Sequence, residues 1–123
     1  MLQKTILIIE DSIDLADSLE DVLKLKGFHP LKANDGKTGL DLALAEKPDL
    51  ILLDLRLPDM DGFEILKNLK NDPWGKEARI LIITASDLNE KNMSEINIDA
   101  ADIIYKSRSS IGDIVSRVEA ELI

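Results

Sequence analysis

Four apolar runs, Ile6-Leu7-Ile8-Ile9, Leu50-Ile51-Leu52-Leu53, Ile80-Leu81-Ile82-Ile83 and Ile103-Ile104-Tyr105, constrain the fold of this chain more than any other feature. A strand with one wet face alternates apolar and polar residues, whereas a run without alternation belongs to a strand covered on both faces. Between the runs the apolar period changes to three and four. Ala16, Leu19, Val22 and Leu23 mark a first helix with Gly27 as a candidate stop, and Leu40, Leu42, Ala43 and Leu44 mark a second that ends at Lys47-Pro48. Phe63, Ile65, Leu66 and Leu69 mark a third, a short polar helix is expected near residues 89–96, and Ile111, Ile114, Val115, Val118 and Leu122 form the apolar stripe of the last. Residues 28–33 read as a weaker, more polar strand at the sheet edge. Five βα units with right-handed crossovers give an α/β, doubly wound, five-stranded parallel sheet.

The runs also agree in how they end. The first is followed by Glu10-Asp11, the second by Asp54, the third by Thr84 and the fourth by Lys106. Ligands of open α/β sheets bind at the carboxyl edge of the strands, so these groups are expected to converge there. Three carboxylates, a hydroxyl and an ammonium suit a hard divalent cation together with a phosphoryl group. Asp11 and Asp54 are candidate direct ligands of Mg2+, and Glu10, longer by one methylene, is expected to act through water. An Asp54 oxygen is a competent phosphoryl acceptor, with Lys106 as a point charge and Thr84 as a donor to the incoming oxygens. Each residue taken alone has a plainer reading: Glu10-Asp11 and Thr84 as helix caps, Asp54 as a turn residue, Lys106 as a solvated rim charge. Four strand ends supplying one site's chemistry favour the functional reading.

Composition narrows the partners. A length of 123 residues fits one domain spanning 1–123, with no output domain after it. Hydrophobic residues make up 45% of the chain but aromatic ones only 3%, so the core is aliphatic and there is little to stack on bases. The net charge of -9 repels phosphate backbones and anionic lipid, so neither direct nucleic-acid binding nor membrane attachment is expected. The absence of cysteine removes disulfides, thiolate metal sites and a cysteine nucleophile, and fits a reducing compartment. The amino-terminal apolar run is too short for a signal peptide or a spanning helix, which makes a cytoplasmic location the expectation.

The segment Asp54-Leu55-Arg56-Leu57-Pro58-Asp59-Met60-Asp61-Gly62-Phe63-Glu64, with Glu10-Asp11 before it and Thr84-Ala85 and Lys106 after it, resembles the receiver domain of two-component response regulators. The resemblance runs nearly the full length of the chain and keeps the order and spacing of the site motifs. It implies a flavodoxin-like (βα)5 fold with strand order 2-1-3-4-5. It implies Asp54 as phosphoacceptor, Glu10 and Asp11 as the acidic pair, Thr84 as the switch hydroxyl, Lys106 as the essential lysine and the Arg56 backbone carbonyl as a further magnesium ligand. A sensor histidine kinase or histidine phosphotransfer protein would be the donor, and a downstream protein or output domain the recipient of the signal. Such a domain promotes its own phosphorylation and dephosphorylation but is not otherwise an enzyme.

The carboxy-terminal third departs from the family pattern. Ile103 stands where an aromatic residue usually precedes the lysine by three, and Tyr105 sits next to Lys106 on the opposite strand face. Ser107 replaces a proline that usually follows the lysine in cis; a cis Lys106-Ser107 bond would cost about 2.5–4 kcal/mol, so the loop is either cis at that cost or shaped differently. Asp99 stands where glycine is common. Arg108 is a second candidate anion ligand, the single histidine, His29, falls on the edge strand away from the site, and Trp74 is expected to pack locally. The output face is expected to be the polar helix, the fifth strand and the last helix, moved through the backbone of residues 85–89 and 107–110. Two other functions are weighed. One is a receiver-like interaction domain that works unphosphorylated. The other is a magnesium-dependent phosphohydrolase of the haloacid dehalogenase type, which needs an acid two residues after its nucleophile, where this chain has Arg56.

Overall fold

The computed structural model of the chain describes residues 3–85, 94 and 102–122. The helix expected at 89–96, most of the output segment 85–89 and Asp99 therefore lie outside the described residues, apart from Ala85 and Ser94. The strands are β1 (Thr5–Ile9), β2 (His29–Ala33), β3 (Leu50–Asp54), β4 (Ile80–Thr84) and β5 (Ile103–Tyr105), all parallel in the order β2-β1-β3-β4-β5. The helices are α1 (Ile13–Leu25), α2 (Gly36–Glu46), α3 (Gly62–Lys70) and α4 (Ile111–Glu121). This is the doubly wound order expected from the sequence, with the polar strand at the edge.

The unbroken runs are explained by two apolar layers. Ile6, Ile8, Leu50, Leu52, Leu81, Ile83 and Ile104 face α1 and α4, where Ala16, Leu19, Leu23, Ile114, Val115 and Val118 close the first layer. Leu7, Ile9, Ile51, Leu53, Ile82 and Ile103 face the other way, against Ala43 of α2 and Ile65, Leu66 and Leu69 of α3. Side chains of β1 and β3 from Ile6 to Ile9 and Leu50 to Leu53 are fully buried, so these central strands form a stiff base beneath their polar ends. Leu44, which the periodicity of α2 assigned to the core, is exposed. Gly36, Gly39 and Ala43 form the buried stripe of that helix instead, one position out of phase with the leucines.

The helices start where local chemistry dictates. Ser12 caps α1 by accepting from the Leu15 amide, Asp35 caps α2 through Thr38, Asp61 caps α3 through Phe63, and Ser110 with Asp113 forms a capping box on α4. Because Ser12 caps α1, Asp11 is not engaged as its cap. Along the outer edge, the His29 amide donates to the Lys4 carbonyl of the chain next to it, which turns the backbone of Pro30 outward. Lys32 on that strand pairs with Asp17 and Glu20 of α1. Trp74 is half-buried against the second layer, in a turn where the Asp72 carboxylate accepts from the amides of Trp74 and Gly75.

Candidate functional site

The parallel register brings four strand ends to one level. Ile9 pairs with Leu53 and Asp54 with Ile83, so Glu10, Asp54 and Thr84 emerge side by side beyond the apolar base, and Thr84 pairs in turn with Tyr105, the residue before Lys106. Glu10, Asp54 and Thr84 are the buried polar residues among those described, with relative exposures of 0%, 3% and 1%. Asp11 is exposed, and its carboxylate falls with those of Glu10 and Asp54 into a cluster whose oxygens lie within 4.8 Å of one another. The acidic pair, Asp54, Thr84 and Lys106 are thus brought together at the sheet's carboxyl edge.

Lys106 ties the cluster together. Its ammonium donates to Glu10 Oε1 and, at 3.1 Å, to Asp54 Oδ2. The other Asp54 oxygen, Oδ1, accepts the Arg56 amide at 3.0 Å, so the carboxylate is fixed from both sides. The backbone of Glu10 is fixed as well: its amide donates to the Ala33 carbonyl and its carbonyl accepts from the Asn34 side chain. Asn34 was not among the candidate residues, and nothing local in the sequence marks it, because its target lies 24 positions away.

Burial and charge set the protonation pattern. Burial is the largest influence on Glu10, reinforced by the neighbouring Asp54 carboxylate, and together they push its carboxyl from 4.5 up to about 8 despite the nearby Lys106. Burial pushes Asp54 upward too, but the neighbouring Glu10 carboxyl and the hydrogen bonds from the Arg56 amide and Lys106 outweigh it and hold Asp54 below its ordinary value. For Lys106 burial lowers the pKa and the two carboxylates more than restore it. At neutral pH, then, Glu10 keeps its proton while Asp54 is an anion and Lys106 a cation.

Glu10 Oε2 is a buried oxygen without a hydrogen-bond partner. Such atoms are rare and costly unless another group completes them. An all-carboxylate set with one orphaned oxygen suits a hard, oxygen-seeking cation and not a soft one, so the residues present fit Mg2+. Asp11 and Asp54 would hold it, with Glu10 behind a water.

The loop that follows Asp54 is tightly shaped. The Gly62 amide donates to the Leu55 carbonyl, Arg56 and Asp61 form an isolated antiparallel bridge, and a Cβ on Gly62 would stand 2.6 Å from the Leu55 Cα, so only glycine permits the closure. Beyond Lys106 the chain makes a 3-10 turn, Lys106–Arg108, and no peptide bond among the described residues is cis. The loop is therefore shaped differently from one with a cis proline, and Lys106 still reaches both carboxylates. Arg108, the second anion-ligand candidate, holds its guanidinium 4.5 Å from the centroid of the Tyr105 ring. Tyr105 itself packs on the face that carries Ile103, because alternation along β5 puts residues two apart on one side. His29 is exposed at the start of the edge strand, at the opposite end of the sheet from Asp54. Among the described residues no helix is long and apolar enough to cross a membrane.

Comparison with known proteins gives one consistent picture. A family model described as the response regulator receiver domain matches residues 6–119. The N-terminal domain of a response regulator receiver protein from Methanoculleus marisnigri JR1 is 31% identical, with a TM-score of 0.74 over 94% of each chain. A CheY-like response regulator receiver domain protein from Methanospirillum hungatei JF-1 is 25% identical, with a TM-score of 0.84 over 98% of this chain and 94% of that one. The chemotaxis response regulator CheY4 of Vibrio cholerae shares the fold, with a TM-score of 0.85 over 97% of this chain and 98% of that one at 24% identity.

Proposed function

The chain belongs to the response regulator receiver domain family, and from that premise we propose that it accepts a phosphoryl group on Asp54, with Mg2+, from a histidine kinase or histidine phosphotransfer protein. The observation that carries this reading is the arrangement of one ionised carboxylate, Asp54, fixed by the Arg56 amide and Lys106 and flanked by the acidic pair. The single histidine lies far from Asp54 on the edge strand, so a phosphohistidine donor must come from a partner.

An Asp54 oxygen attacks phosphorus in line with the donor's P–N bond; that bond breaks, its electron pair stays on the departing imidazole nitrogen, which is protonated from solvent, and the new P–O bond makes an acyl phosphate. Lys106 already points at Asp54 and moves from the carboxylate to the incoming phosphoryl oxygens, and Thr84 donates its hydroxyl to another of them. When bound, the magnesium ion supplies charge neutralisation between the carboxylates and the phosphoryl oxygens. Asp11, Asp54 and the Arg56 carbonyl would hold it, with Glu10 acting through a water. Attack by water on the same phosphorus breaks its bond to the Asp54 oxygen, releases inorganic phosphate and returns the carboxylate, so the domain resets itself.

The signal is read by a downstream protein or output domain in the cytoplasm. The phosphate pulls on Thr84 and Lys106, the ends of β4 and β5, so the surface that changes is the one built on those strands and α4. The phosphohydrolase reading lacks support, since Arg56 takes the position of the required acid and lends its amide to Asp54. Intact-mass analysis after treatment with acetyl phosphate tests the proposal. One phosphoryl mass should appear with Mg2+ and not with EDTA, and Asp54→Asn should remain unmodified. Equal labelling of that variant would overturn the assignment, and failure of the parent to label would favour an interaction domain that works unphosphorylated.

A further inference from the structure

Asp59 lies at the exposed apex of the loop that follows Asp54, yet its two carboxylate oxygens are both used by another element. Oδ1 accepts the Gly36 amide at 2.7 Å and Oδ2 the Lys37 amide at 2.9 Å, the first two amides of α2. That helix has its own cap, since Asp35 accepts from Thr38 at 2.8 Å. Asp59 therefore acts as a cross-link from the loop to a helix start 23 and 22 positions upstream. The neighbouring Met60 side chain lies where a Cβ on Gly36 would stand, with Met60 Cγ only 2.2 Å from that point, so loop and helix are in direct apposition.

The consequence follows from where the loop is fixed. Its base is closed by the Gly62 amide on the Leu55 carbonyl and by the Arg56–Asp61 bridge, and its apex is held by Asp59. Between these points sits Arg56, whose amide grips Asp54 Oδ1 and whose carbonyl is expected at the metal. We propose that Asp59 is a positioning residue for phosphorylation: by clamping residues 55–61 to the start of α2 it sets Arg56, and through it the affinity for Mg2+ and the rate of phosphoryl transfer. The two amides also hold the Asp59 carboxyl below its ordinary value, as expected of an anion at a helix start. Linkage makes the relation mutual, so Mg2+ at the site should in turn tighten the clamp and slow exchange of the Gly36 and Lys37 amides. This inference rests on the phosphoacceptor reading above.

The test compares the parent with Asp59→Ala, Asp59→Asn and Asp35→Ala. Mg2+ affinity is read from backbone amide shifts, clamp integrity from hydrogen exchange at Gly36 and Lys37, and phosphorylation rate from acetyl phosphate at saturating Mg2+. Groups that orient ligands from behind typically change metal affinity by about 10–100-fold; for a clamp acting through one peptide, Asp59→Ala should weaken Mg2+ by about tenfold and slow phosphorylation, with Asp59→Asn intermediate because its carbonyl keeps one acceptor. Asp35→Ala weakens the helix's own cap and should lower melting temperature while leaving Mg2+ affinity unchanged. Equal loss of affinity in Asp35→Ala and Asp59→Ala would reduce the effect to helix stability and overturn the inference. If the parent binds Mg2+ and Asp59→Ala binds it as well, the inference alone fails. If the parent neither binds Mg2+ nor accepts phosphate, the phosphoacceptor reading fails and takes the inference with it. Should Asp59→Ala not fold, Asp59→Asn and Gly36→Ala, whose new methyl displaces Met60, carry the same comparison.

Discussion

Replacing Glu10 by glutamine should stabilise the metal-free protein at alkaline pH and leave it unchanged in acid. Glutamine keeps a carbonyl for Lys106 and offers an N–H toward Asp54, reproducing the protonated acid, but it cannot ionise. The folded protein raises the Glu10 carboxyl from 4.5 to about 8, which corresponds to about 5 kcal/mol at about 1.4 kcal/mol per tenfold change in proton affinity. The sign follows from proton counting: between pH 4.5 and about 8 the folded state keeps a proton that the unfolded chain has released, so stability falls as pH rises across that window. Water entry and movement of Lys106 relieve part of the cost, which leaves an expected advantage for Glu10→Gln of at least about 2 kcal/mol at pH 8. For a chain of this length that is roughly 6–10 °C in melting temperature. Thermal and urea melts in EDTA at pH 5, 6.5 and 8 measure it. Added Mg2+, held directly by Asp11 and Asp54, should then stabilise the parent more than the variant and narrow the gap between them. Parallel pH profiles for the two proteins, or a variant less stable at pH 8, would refute the assignment of a buried proton to Glu10.

Three further outcomes follow from the same geometry. Asp11→Asn, at an exposed position that caps nothing, should leave metal-free stability unchanged or slightly raised and weaken Mg2+ by tenfold or more in a shift titration, on the order of the cost of removing one ligand charge. Lys106→Ala should fold but lose about 1–3 kcal/mol at pH 8, because two buried carboxyl groups lose a charged donor, and less at pH 5, where protonation substitutes for it; urea melts at both values decide this. Leu19→Ala, beneath the site in the layer shared by α1 and α4, should cost about 2–5 kcal/mol in urea melts with unaltered Mg2+ affinity per folded molecule.

The parts of the fold legible in the sequence are those set by short-range pattern. Leu50 to Leu53 announce a strand covered on both sides because no polar residue interrupts them, and apolar residues three and four apart mark α1, α3 and α4, although the cap of α1 is Ser12 and not the acidic pair. The site was legible for a related reason: parallel strands in one sheet bring their carboxyl ends to one edge, so Glu10, Asp54, Thr84 and Lys106, at or just past those ends, needed only the order of the strands to meet. What the sequence hid depends on distance along the chain. Asp59 reads as a loop acid because its amide partners lie in α2, Asn34 as a turn residue because the Glu10 carbonyl comes from β1, and Leu44 as core because the stripe of α2 is set by close packing of glycines that carry no hydropathy signal. Tyr105, two positions from Ile103, shares its face and pairs with Thr84, so the aromatic ring stands beside the usual position and not in it.

The outward backbone of the edge strand bears on how the molecule keeps to itself. A sheet edge recruits a foreign strand through a ladder of outward donors and acceptors, and β2 offers a ladder with missing rungs. Its inward amides serve β1; of the outward pair, Pro30 has no N–H to give and Lys32 stands beside its own salt bridges to α1. At the other margin β5 contributes three residues before the chain curls into its 3-10 turn, too short a template for a stable addition. In a crowded cell holding many copies of one fold, a sheet sealed in this way resists templated polymerisation and domain exchange.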